Sequence, residues 1–112
     1  MIQLVTACLI IANLLIPQNS ETFTAYAYCP CQKCCGKWAN GITATGTNAI
    51  QGRTVAVDPK IIPLGTKLWI DGKGPYIAED TGSGINGYKL DVYHESHQDA
   101  LIWGVQSVTV QW

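Results

Sequence analysis

Neither sign of charge dominates this chain: 7 Lys and Arg stand against 8 Asp and Glu, and only 13% of residues are charged. With no basic stripe to neutralise phosphates, nucleic-acid binding is excluded as the main role. A partner must be recognised by shape, stacking and hydrogen bonds, which suits a glycan better than a polyanion. A long hydrophobic run is also missing. Residues 1–20 carry no charged side chain, and Leu4 to Ile16 is apolar apart from Thr6 and Asn13. About 13 such residues match the h-region of a signal peptide and fall short of the roughly 20 that span a bilayer. No Lys or Arg precedes the run, and no A-x-A-like cleavage site follows it. Val5-Thr6-Ala7-Cys8 has the letters of a lipobox, but there the apolar run follows the cysteine instead of preceding it. Residues 1–20 are therefore expected to export the chain to the cell envelope or beyond, as a cleaved signal or as an N-terminal anchor allowing membrane attachment. Internal repeats and linkers are absent too. At 112 residues there is room for one domain, assigned to 22–112.

Short alternating segments fill that domain. Strands are predicted at Thr22–Tyr28, Thr54–Asp58, Lys67–Ile70, Tyr76–Asp80, Lys89–Tyr93 and Ser107–Trp112. Asp71-Gly72 and Asn86-Gly87 supply turns with positive φ. One helix is predicted, with Ser96 as N-cap, Asp99 in a capping-box-like position and Gly104 at its stop. So small a core favours a closed barrel, which leaves no free sheet edge.

Aspartates mark the places where the apolar segments stop looking like core: Asp58 in VAVDPKIIPLG, Asp80 in YIAEDTGSGING and Asp91 in YKLDVYHESH. Strict alternation puts Leu90 and Val92 on the face that Asp91 does not occupy, and small residues on the face of the other acids, Ala56 with Asp58 and Ala78 with Asp80. That leaves room for a cleft. A lone carboxylate at a strand end commonly just caps a turn, but three in different local settings point to a site. Gly82-Ser83-Gly84-Ile85-Asn86-Gly87 spells the dinucleotide-binding fingerprint, yet it leads into a strand and opens no helix, so it is not one.

These segments, with the order VDP…IPLGT, EDTGSGI, LDVYH and the closing SVTVQW, resemble the three-aspartate (3D) domain of bacterial cell-wall proteins from about Thr24 to Trp112. That family is related to the catalytic barrel of membrane-bound lytic transglycosylase A and to rare-lipoprotein-A-like barrels. The resemblance implies a mostly β fold, a six-stranded double-psi β-barrel with one short helix. It also implies lytic transglycosylase activity on peptidoglycan glycan strands, with Asp91 as catalytic acid and Asp80 and Asp58 as supporting carboxylates. Thr45, Gly46, Thr47, Thr81, Gly82, Gly84, Tyr93 and His97 are the expected substrate-binding residues. No cofactor or metal is called for. A glycan-binding barrel without catalysis and a hydrolytic glycosidase using the same acids remain the alternatives.

Grouped acids cannot all ionise cheaply, so one stays protonated near neutral pH and can donate to the glycosidic oxygen. Attack by the sugar's own C6 hydroxyl gains from proximity and needs no second residue to activate water. Cys29, Cys31, Cys34 and Cys35 crowd one loop, with Cys8 left over. Export makes disulfides of unassigned pairing the expectation, with a four-cysteine zinc site as the alternative. Trp38, Tyr76 and Trp103 are further candidates for stacking on sugar, though aromatics in a small barrel are more often core.

Overall fold

Strand β1 (Ser20–Tyr28) has alternating burial at its centre, where Phe23 and Ala25 turn into the core and Thr24 and Tyr26 stay half-buried. The computed structural model describes residues 16–31 and 40–112. Cys8, Cys34, Cys35, Lys33, Lys37 and Trp38 lie outside the described residues, as does most of the N-terminal segment. Among the described residues, no helix is long and apolar enough to cross a membrane.

The other strands are β2 (Thr54–Ala56), β3 (Lys67–Ile70), β4 (Lys73–Asp80), β5 (Lys89–Tyr93) and β6 (Gln106–Gln111). They close in the order β1-β5-β2-β4-β3-β6, so β6 returns to β1 and the sheet has no edge. The β1–β5 and β2–β4 pairs are parallel and the other four are antiparallel. Parallel neighbours need long crossovers, and residues 40–44 and 81–83 of the connecting loops lie beside Asp80 and Asp91. Trp112 extends the closure, because Gln18 and Asn19 amides both donate to its carbonyl.

Phe23, Val55, Leu68, Leu90, Val110 and their neighbours fill the barrel. Phe23 meets Tyr88 and Trp112 edge-to-face, with centroids 5.3 and 5.5 Å away. The predicted elements are all present, but β2 is shorter than its sequence pattern. Alternation carries the apolar run to Asp58, whereas the strand ends at Ala56. The chain then turns, with the amides of Ile61 and Ile62 donating to the Asp58 carbonyl. At Asp71-Gly72 both residues adopt positive φ (50° and 77°) and join β3 to β4, while of Asn86 and Gly87 only the glycine does (φ 73°).

The helix, α1 (His97–Trp103), is capped at both ends as its sequence demands. Ser96 Oγ accepts the Asp99 amide at 3.0 Å, and Gly104, at φ 65°, donates its amide to the Ala100 carbonyl. Replacing Ser96 by alanine is expected to cost about 1 kcal/mol, read as a lower urea midpoint at unchanged m-value. An unchanged midpoint would mean that α1 is held by its packing alone.

Candidate active site

The register of three strands builds the site. Asp91 of β5 pairs laterally with Ala56 of β2, and Ala56 pairs with Asp80 of β4. Two carboxylates therefore flank one methyl group in a single row, with Tyr26 of β1 beyond Asp91. Their Cα atoms stand two strand spacings apart, roughly 10 Å, with a small residue between. Sequence alternation misplaces one member of this row. It puts Ala78 on the face of Asp80, but Ala78 belongs to the core beside Val55. A bulge resolves the conflict: Val55 pairs with Ala78, and the next β2 residue, Ala56, pairs with Asp80. Glu79 is the extra residue. It turns to a buried setting where Thr54 Oγ1 donates to Oε2 at 2.6 Å and Arg53 Nε lies 3.0 Å from Oε1. Skipping one residue re-aims the next side chain, here the carboxylate that faces the cleft.

A cleft of about 690 Å³ opens over this row. Asp80 and Asp91 line it with Tyr28, Thr43, Ala44, Ala49, Ala56 and the Thr81-Gly82-Ser83 turn. Asp80 is fixed on every side: Tyr28 Oη donates to Oδ2 at 2.9 Å, and the Ala44 and Thr81 amides donate to Oδ1 at 3.0 and 2.9 Å. Asp91 differs. Its Oδ1 is buried without a hydrogen-bond partner. Loss of solvent, reinforced by the charge of Asp80, pushes its carboxyl up to about 7. One acid is thus held in place, and the other is poised to carry a proton at neutral pH.

Asp58 is not in the cleft lining. Its carboxylate accepts the Gly87 amide at 2.8 Å and the Lys60 amide at 3.0 Å. These two amides, Gly87 first, hold the carboxyl below its ordinary range. It therefore ties the glycine loop (82–87) to the turn after β2. A tether between residues 29 apart leaves no local signal in the sequence.

Other expected binding residues are shifted by a step. Thr43 and Ala44 line the cleft in place of Thr45, Gly46 and Thr47. The Thr45 and Thr47 hydroxyls lie 2.9 and 2.7 Å from Thr43 Oγ1 and brace the turn from behind. Thr81 and Gly82 line the cleft, whereas Gly84 does not. Tyr93 is buried at 5% exposure and packs against Tyr28, its centroid 5.5 Å away, so it supports the wall without forming it. Tyr28 itself is the residue that the sequence reading missed. Its partner is 52 positions away, and the strand order β1-β5-β2-β4 brings the two within reach.

His97 does not face the cleft. Its Nδ1 lies 3.5 Å from Cys29 Sγ and 3.4 Å from Cys31 Sγ, because α1 sits over the end of β1. The two sulfurs are 2.8 Å apart, beyond the length of an S–S bond, so no disulfide joins Cys29 to Cys31. His94, the other histidine, is buried with Nδ1 against the Val92 carbonyl and its ring 5.4 Å from Trp103. Neither histidine joins the carboxylates. Among the described residues, the group within metal-binding reach is Cys29, Cys31 and His97.

The 3D domain family model matches residues 53–112, which hold Asp58, Asp80 and Asp91. YocH of Bacillus subtilis, named as a cell wall-binding protein, is 44% identical over 75 residues, covering 64% of this chain and 26% of that one. YabE of the same organism, whose name proposes a role in cell wall shaping, is 40% identical over 93 residues, covering 83% of this chain and 21% of that one. The chain thus spans about a quarter or less of these relatives. Among solved structures, MltA from E. coli, a lytic transglycosylase, aligns with a TM-score of 0.53 at 25% identity, over 62% of this chain and 26% of that one.

Proposed function

We propose, from the premise that this chain belongs to the 3D domain family, that it is a peptidoglycan lytic transglycosylase of the cell envelope. It would cleave the bond between N-acetylmuramic acid and N-acetylglucosamine. The observation that carries this reading is the contrast between the two cleft acids: a fixed Asp80 beside an Asp91 whose carboxyl is raised to about 7 with a buried, unpartnered oxygen. Kinship with cell wall-binding and cell wall-shaping proteins supports the substrate, and likeness to MltA supports the chemistry. The two parallel strand pairs support a double-psi barrel.

In this mechanism protonated Asp91 gives its proton to the glycosidic oxygen as the bond to C1 breaks. Asp80 offsets the positive charge that develops on the ring. The Asp91 carboxylate then takes the proton of the C6 hydroxyl as that oxygen bonds to C1, closing a 1,6-anhydro ring and restoring the acid. No water is consumed. Asp58 acts at one remove, by holding the glycine loop that carries the cleft turn.

The test is digestion of peptidoglycan in oxygen-18 water. Unlabelled anhydro-muropeptides, lighter by one water than hydrolytic products, are expected. Label at the new sugar terminus would replace this reading with simple hydrolysis. Strand binding without any product would leave a glycan-binding module, the reading that the name of YocH favours.

A further inference from the structure

Behind the cleft lies a cluster that the glycan chemistry does not use. Cys29 directly follows β1 and is fully buried, Cys31 comes two residues later, and His97 opens α1. Their ligand atoms lie within 4.8 Å of one another. We propose that Cys29, Cys31 and His97 bind a zinc ion that pins the end of β1 to α1.

The spacing fits this ion. Zinc holds sulfur at about 2.3 Å and imidazole nitrogen at about 2.0–2.1 Å, so tetrahedral angles put sulfur and nitrogen roughly 3.5 Å apart. The observed separations from Nδ1 are 3.5 and 3.4 Å. Two sulfurs on one tetrahedral ion stand roughly 3.8 Å apart, against a bonded distance of about 2.05 Å in a disulfide. The 2.8 Å seen here belongs to neither, and opening it by about one ångström needs only a small side-chain rotation at the half-buried Cys31. Binding zinc would deprotonate both thiols, and the cation would offset the repulsion between the thiolates so formed. Thiolate and imidazole donors select zinc over magnesium or calcium, which take oxygen. Solvent completes the coordination.

The role is structural. Tyr28, which donates to Asp80, immediately precedes Cys29. Fixing Cys29 to the helix therefore fixes the wall of the cleft, whatever chemistry the cleft performs.

The full chain, purified with a reductant and no chelator, is expected to carry one zinc per molecule by elemental analysis. Replacement by cobalt is expected to give thiolate charge-transfer absorption and the intense visible bands of tetrahedral cobalt. His97→Ala and Cys31→Ser are each expected to weaken zinc binding by at least ~100-fold. Added zinc is expected to raise the thermal midpoint of the parent protein and leave that of His97→Ala unmoved. The site is overturned by any of three results: reduced parent protein that takes up neither zinc nor cobalt, isolated protein two daltons light through a Cys29–Cys31 disulfide, or a His97→Ala variant that binds zinc as well as its parent. Cobalt spectra of the parent protein do not depend on whether either variant folds.

Discussion

Asp91→Asn is expected to lower glycan cleavage by about 10²–10⁴-fold, the range spanned by a general acid, while making the fold more stable at neutral pH. Catalysis and stability move in opposite directions because the wild-type carboxyl sits where a charge is costly. Its pKa is raised from 3.8 to about 7, first by burial and then by the charge of Asp80. Below pH 4 folded and unfolded chains both hold the proton, and the group costs nothing. Between pH 4 and pH 7 the unfolded chain releases it and the folded one does not, so stability falls as pH rises. Above pH 7 the full cost is present. The amide removes that cost, so the variant should exceed its parent by on the order of 2 kcal/mol at pH 8 and converge with it at pH 4. A shift of this size converts to about 4 kcal/mol at most, and solvent reaching part of the group reduces it. Urea unfolding at the two pH values, alongside muropeptide release, reads both effects. Equal stability at pH 8 would remove the argument that Asp91 is a proton reservoir, and wild-type turnover would remove Asp91 as the acid.

Asp80→Asn acts on the same proton from the other side of Ala56. Cleavage is expected to fall by about 10–100-fold, since the carboxylate opposing positive charge on the ring is gone. The more diagnostic effect is on pH dependence. Wild-type kcat/KM should decline as pH rises through about 7, where Asp91 loses its proton. Without the Asp80 charge, Asp91 gives up its proton more readily, and the decline should move to lower pH. Burial is the larger cause and persists in the variant, so the limb shifts without returning to the range of an exposed aspartate. An alkaline limb that stays where it was would mean that the two acids do not sense each other.

Much of the barrel was legible because its signals are local. Ser96 and Gly104 bracket α1, Asp71-Gly72 makes its hairpin, and alternation through Phe23 and Ala25 or Leu90 and Val92 marks core faces. The carboxylate row was legible only in part. Asp80 and Asp91 stand out as acids in apolar segments, but their partners come from distant parts of the chain. Neither the donation of Tyr28 to Asp80, the tether of Asp58 to Gly87 nor the meeting of His97 with Cys29 follows from residues near one another in sequence. Asp58 looked like a third cleft acid for the same reason. Its sequence setting resembles that of the others, and only the fold distinguishes a carboxylate that holds a loop from one that faces the cleft.

The bulge at Glu79 works as a frameshift in a text read two letters at a time. Before it, the inward letters of β4 spell barrel interior, ending at Ala78; after it, the frame has slipped, and Asp80 is read on the outside. Structural integrity and chemistry are therefore written in different frames of one strand, and Asp80 can vary without rewriting the interior. Excising Glu79 would remove the bulge and leave Asp80 directly after Ala78, still opposite Ala56, while Thr54 and Arg53 would lose the carboxylate that they hold. Replacing Glu79 with a residue of any kind keeps the slipped frame only if the bulge survives the loss of that anchor.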